Sequence, residues 1–224
     1  MNGMNRTERT LLWQTNVGSH AWGMNRPDSD YDIFEAYIVD TKELLRGRAK
    51  TESYQKHYPV NGIDIKLDTD VSGHEIGTIV QQLLKGNMNY LWGTMSPIIL
   101  EQKDTTLDRL RDIVKRTVAK NCVNSIRGMV IGNYNKYILY GSNNTCTGDE
   151  MVKKCNMMCR SLDFGMHILE GNGFEFHGVS DCTPVEVQTM LKEIDIALAE
   201  SKLPEFPNEE PYREFLLNLR MAYL

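Results

Sequence analysis

Nowhere in these 224 residues do apolar side chains run uninterrupted for the ~18 positions a membrane-spanning helix needs, and the chain opens on the polar, charged MNGMNRTER. On this reading a signal peptide and a membrane anchor are excluded, and a cytoplasmic location is the default expectation. Charge of one sign is also lacking: 25 Lys and Arg stand against 30 Asp and Glu, interspersed along the chain, for a net charge of -5. Without a basic arm for nonspecific nucleic-acid binding, a nucleic-acid partner needs a local basic patch. Cysteines are few and odd in number, at 122, 146, 155, 159 and 182, in a chain too long to need disulfide staples, which points to reduced thiols. Cys155 and Cys159 are four apart in a helical pattern, yet no CxxC pair or HxxxH partner completes a zinc site, so both are expected to pack against apolar neighbours. Internal repeats and low-complexity linkers are absent, which leaves one domain or two small lobes.

What is present changes period along the chain. Leu11-Leu12-Trp13 leading into Val17, and Ile33 to Val39, read as two strands bracketing the polar loop Gly23 to Ser29. A third strand is expected where Ile63, Ile65, Leu67, Thr69 and Val71 alternate with Asp64, Lys66, Asp68 and Asp70, one face apolar and the other acidic. From Ile76 the apolar residues fall at helical spacing (Ile76, Ile79, Val80, Leu83, Leu84) until Gly86 stops them. Further helices are expected at 107–119, 123–139, 151–169, 184–199 and 211–223, with Asp149 and Thr183 as N-caps and Gly171-Asn172-Gly173 ending the helix at 151–169. A strand-rich front therefore precedes a helical back.

The segment that carries chemistry is GSHAWGMNRPDSDYDI, residues 18 to 33, where Gly18-Ser19 is followed after ten residues by Asp30-Tyr31-Asp32. On a strand, residues i and i+2 share a face, so the two carboxylates stand roughly 6–7 Å apart at Cα and repel unless a cation lies between them. All-oxygen donors favour Mg²⁺ or Mn²⁺ over zinc. Gly18 lets the backbone approach a phosphate, and the amides and hydroxyl at Ser19 can hold its oxygens. Taken singly, an Asp-x-Asp is most often a solvated strand edge and a Gly-Ser pair a turn. Their coincidence, with apolar strand residues behind both, supplies the parts for in-line displacement at a phosphoryl group.

This spacing resembles the signature of the polymerase β-type nucleotidyltransferase superfamily, and GSHAWGMNRPDSDYDI is similar to the "GSxAYGxxxPxSDxD" form of RlaP-like nucleotidyltransferases, a branch associated with RNA repair. Residues 70 to 97, DVSGHEIGTIVQQLLKGNMNYLWGTMSP, resemble that group's "Dvxxyel…LLLKGNPNxxExL…SP" segment without gaps. Helix 151–169 with Lys153, Lys154 and Arg160, and SKLPEFPNEEPYREFLLNLR at 201–220, resemble its helical and C-terminal parts. The resemblance implies a third carboxylate on a neighbouring strand. Asp64, Asp68 and Asp70 share a strand face, and counting back from Leu83-Leu84-Lys85-Gly86-Asn87 selects Asp70, with Asp68 in reserve. Trp92 stands where the family has a glutamate and Met88 where it has a proline, so substrate contacts there are expected to differ.

Lys85 with Asn87 at a helix end, and Arg26 in the loop, either reach a triphosphate or are solvated; Arg160 among apolar neighbours needs a phosphate or an acid as partner. His20 adjoins Ser19 and can touch a phosphate, whereas His57, His74, His167 and His177 share no spacing that suggests a site. Tyr134, Tyr137 and Tyr140 suit a packed helix face better than a base-stacking platform.

The expectation is an α+β protein: a polymerase β-like palm of mixed sheet and helices over residues 1–100, then a helical domain over 101–224. Asp30, Asp32 and Asp70 are expected to hold two Mg²⁺ (or Mn²⁺) ions and act as the catalytic set. Gly18, Ser19, Arg26, Lys85 and Arg160 are expected to bind the nucleoside triphosphate. By the resemblance, a nucleoside monophosphate passes to an acceptor hydroxyl, an RNA end, with release of pyrophosphate. A protein hydroxyl, and a catalytically silent nucleotide-binding protein, are the alternatives.

Overall fold

A computed structural model describes residues 9–58, 68–140 and 148–224. Five strands form one mixed sheet in the order β3-β4-β2-β1-β5. The strands are β1 (Arg9–Val17), β2 (Tyr31–Val39), β3 (Tyr54–Tyr58), β4 (Thr69–Glu75) and β5 (Ile99–Gln102). β1 and β2 pair antiparallel, as their bracketing of the polar loop implied, and β4 runs parallel to β2. β3 and β5 close the two edges, antiparallel to β4 and β1 respectively. Ile63, Asp64, Ile65, Lys66 and Leu67, expected to start the third strand, lie outside the described residues; its described part begins at Thr69 and runs on to Glu75. The short strands β3 and β5, without an apolar alternation of their own, went unread in the sequence.

Alternation along β2 sends Phe34, Ala36 and Ile38 into the main core, while Glu35 and Tyr37 face the other side. There Tyr37 stacks on Tyr54 (5.8 Å) beneath the Arg9 guanidinium, and Tyr54 donates to Glu35. The core side is covered by α3 (Ile76–Leu84), α4 (Met88–Met95) and α5 (Thr106–Thr117). Glu75 caps α3, accepting from the Gly77 amide (2.7 Å), and its other oxygen takes the Arg220 guanidinium at 2.5 Å. The stripe Ile76, Ile79, Val80, Leu83 is buried as expected, and Gly86, at φ +72°, turns the chain. α4 was not anticipated: its sequence, MNYLWGTM, has a weak apolar stripe, and tertiary burial of Met88, Leu91 and Met95 stabilises it.

The helical back comprises α6 (Lys120–Tyr134), α7 (Gly148–Glu170), α8 (Pro184–Glu200) and α9 (Glu210–Ala222), and two short helices, α1 (Gly18–Ala21) and α2 (Thr41–Leu45), precede them in the chain. Thr183 caps α8 through a reciprocal bond with Glu186, as expected. Asp149 falls inside the first turn of α7 rather than at its cap, because the helix starts a residue earlier. Gly171, at φ +80°, ends α7. The tyrosine series does not form one packed face: past Tyr134 the helix widens to a π turn over Asn135–Leu139, so Tyr134 is buried while Tyr140 is 76% exposed. A single buried cluster joins sheet and helices through Trp13, Phe34, Ile79, Leu110, Val123, Leu162 and Phe164.

Among the described residues no helix is long and apolar enough to cross a membrane. Cys122, Cys155, Cys159 and Cys182 are all free thiols; Cys146 lies outside the described residues. Burial pushes the Cys122 thiol up to about 11. Cys155 and Cys159 are fully buried among apolar side chains, as expected.

Candidate active site

Pairing in the sheet assembles the acidic cluster. In the parallel ladder Asp32 stands opposite Asp70, so both side chains emerge on one face at the start of their strands. Asp30 lies two residues before Asp32, just ahead of β2. Burial, then the charge of Asp70, then that of Asp30 hold the Asp32 carboxyl above its ordinary range, while His20 and Arg160 pull the other way. Asp68 lies before β4, off the Asp32 ladder position, and Asp64 lies outside the described residues.

Across β1, Val17 pairs with Asp32, and the chain then turns at Gly18 (φ +65°) into α1. A Cβ on Gly18 would overlap the Asp32 carboxylate, lying 2.9 Å from its Cγ, so only glycine brings the backbone this close to the carboxylate. Ser19 follows, its carbonyl accepting from the Met24 amide at 2.9 Å. His20 stacks flat on Tyr31 (4.3 Å, 13°), which fixes the loop to the start of β2.

Arg160 projects from α7 toward this loop. Its guanidinium lies 5.1 Å over the Trp22 ring with Nη1 3.5 Å from the Met24 sulfur, and its Nε is buried without a hydrogen-bond partner. Burial lowers its basicity against the opposing charge of Asp32. A partly buried cation facing a half-buried carboxylate, with a buried donor unused, suits an anionic ligand's oxygens. Arg26 is exposed; its backbone amide donates to Ser29 Oγ (2.8 Å) and its guanidinium has no partner among the described residues. Lys85 is not brought into the acidic cluster: as C-cap of α3 it lines a separate cleft with Gln82, Asn87, Ser125 and Met129.

His57, dismissed on sequence spacing, belongs here. Edge strand β3 pairs it with Asp70, Nδ1 lying 2.7 Å from Oδ1, and this bond raises the His57 pKa with help from the charges of Asp70, Asp68 and Asp30. No sequence signal announces a contact made across a strand pair. Trp92, the departure from the family pattern, packs edge-on against Trp22 (5.5 Å) and so backs the GSHAWG loop from inside.

A mixed sheet presenting carboxylates from adjacent strands beside a Gly-Ser turn defines a palm of the polymerase β type, the class of the nucleotidyltransferases. The chain belongs to the RNA repair pathway DNA polymerase beta family, RlaP, whose family model matches residues 2–213. Families of this type generally use divalent metal ions and nucleoside triphosphates. No curated protein matches the chain. Among solved structures it is similar to a nucleotidyltransferase-like protein from Exiguobacterium sibiricum, at 10% identity and a TM-score of 0.33, over 96% of this chain and 72% of that one.

Proposed function

We propose that this protein transfers a nucleoside monophosphate from a nucleoside triphosphate to a hydroxyl at an RNA end, releasing pyrophosphate, in the cytoplasm. The observation that carries this is the convergence of Asp32, Asp70 and the backbone of Gly18 on one point at the head of β2. Three carboxylates, with the Asp32 pKa raised by burial and then by the charges of Asp70 and Asp30, beside a cradle that a Cβ would fill, fit two Mg²⁺ or Mn²⁺ ions held by Asp30, Asp32 and Asp70. When bound, such ions neutralise charge building on the phosphate oxygens and make the acceptor hydroxyl more acidic.

The chain's own groups bind and orient. Gly18 and Ser19 hold phosphate oxygens through backbone amides and the hydroxyl, and Arg160, already desolvated, supplies fixed positive charge. Arg26 reaches the triphosphate from the loop, and Lys85 meets substrate outside the acidic cluster, along its own cleft. His57 orients the Asp70 carboxylate. Residues 1–100 serve as the palm and 101–224 as the helical part that presents Arg160.

The test is incubation with each α-labelled nucleoside triphosphate, Mg²⁺ or Mn²⁺, and tRNA, short RNA or protein acceptors, beside an Asp30→Ala/Asp32→Ala control. Label on RNA only with intact carboxylates supports the proposal. Label on protein instead replaces the acceptor, and equal transfer by the control overturns the catalytic assignment.

A further inference from the structure

A second cluster of ligating side chains lies one turn and more beyond the cysteines along α7, apart from the acidic site. Asp163 and His167 are one turn apart, so they share a helix face. After the stop at Gly171 the chain returns without regular secondary structure. Phe174 and Phe176 turn inward against Phe164, and Phe176 also meets Trp22 (4.7 Å). Glu175 and His177, which alternate with the two phenylalanines, lie against Asp163 and His167 of α7.

The Asp163–histidine separations fit ligands of a common ion better than hydrogen-bonded partners. Asp163 Oδ2 is 3.7 Å from His167 Nε2 and 3.8 Å from His177 Nδ1. Glu175 Oε2 is 3.6 Å from His167 Nδ1 and 3.3 Å from His177 Nε2. Hydrogen bonds between such groups run to about 2.7–3.2 Å, whereas ligands around a tetrahedral ion with bonds near 2.0–2.1 Å stand roughly 3.3 Å apart. Among the described residues, Asp163, His167 and His177 are the one set of three whose ligand atoms all lie within 4.8 Å of one another. His167 Nδ1 is buried without a hydrogen-bond partner.

We propose that Asp163, His167 and His177 bind a divalent transition-metal ion of the zinc class. His167 Nε2, His177 Nδ1 and an Asp163 oxygen are the ligands, and on binding Glu175 closes on the two remaining ring nitrogens to accept from them, an arrangement that fixes tautomer and ring orientation. Two imidazoles and one carboxylate select a borderline ion, unlike the all-oxygen aspartate set. The ion fastens the 174–178 segment to α7. Gly178 is packed so closely on the GSHAWG loop that a Cβ there would come within 2.8 Å of the Trp22 carbonyl, so the clamp also steadies that loop.

Metal content after dialysis against Zn²⁺, and the visible spectrum with Co²⁺, are measured on the Asp30→Ala/Asp32→Ala chain, which lacks the aspartate pair. One equivalent per chain and a tetrahedral Co²⁺ spectrum are expected, both lost in His167→Gln and in His177→Gln, with affinity lowered roughly 10–100-fold in Glu175→Gln. His177 is 52% exposed, so its replacement tests the site with the fold kept, as circular dichroism verifies. Absence of stoichiometric Zn²⁺, its retention by His177→Gln, or its loss from Cys182→Ser with retention in His177→Gln overturns the proposal.

Discussion

Asp32 and Asp70 occupy facing positions of the parallel β2–β4 ladder, and the Asp32 carboxylate is closed off on its third side by the backbone of Gly18. The sheet thus brings two like charges together and leaves a glycine to make room. His57 holds Asp70 from the far edge, so both aspartates are constrained by neighbouring strands rather than by loops.

Gly18→Ala tests this closure. A left-handed backbone costs a non-glycine residue about 1–2 kcal/mol, and the new methyl overlaps the Asp32 carboxylate. Urea unfolding should show a loss of at least that size, and nucleotide transfer should fall far more than stability does. A variant as active as the parent removes the cradle from the mechanism.

Asp32→Asn removes the charge that burial, Asp70 and Asp30 disfavour. Its melting temperature without divalent ions should equal or exceed that of the parent, while transfer is lost. Mg²⁺ should raise the melting temperature of the parent, by the linkage of binding to folding, and should leave Asp32→Asn unmoved. An equal Mg²⁺ response in both chains places the ion elsewhere.

The pair Glu75–Arg220 is nearly buried, with 2% and 13% of the side chains exposed, and ties α9 to the cap of α3. Arg220→Met leaves a carboxylate buried without its cation and should cost about 3–5 kcal/mol. Denaturant titration checks this, and a change within 1 kcal/mol shows that Glu75 finds another partner.

His74 gives a pH signature. Burial lowers its pKa below 6.5, with the ring packed between Phe34 (5.0 Å) and Tyr90 (4.7 Å) and Nδ1 2.8 Å from the Ser53 hydroxyl. The unfolded chain therefore takes up the proton first, so stability is full above 6.5 and declines as pH falls through the window below it. Melting curves across that window should be flatter for His74→Gln than for the parent; identical slopes assign the effect to other groups.

Much of this was legible in the chain itself. The helix over Ile76–Leu84, the cap at Thr183 and the stop at Gly171 rest on local periodicity and backbone chemistry, which act within a few residues of one another. The Asp30-x-Asp32 spacing was readable from a strand's two-residue period, although β2 itself begins between them at Tyr31, and Gly18-Ser19 was readable as a glycine turn. Tertiary structure decided what depends on pairing between distant segments. Register with β2 set Asp70 opposite Asp32, edge strand β3 delivered His57 to it, α7 carried Arg160 to Trp22, and α3 turned Lys85 into another cleft. Likewise Asp163 and His167 show only a one-turn spacing until the returning segment sets His177 beside them. Sequence specifies neighbours along one element; which elements meet is settled by burying their apolar faces together, and the residues that ride on those faces meet as a consequence.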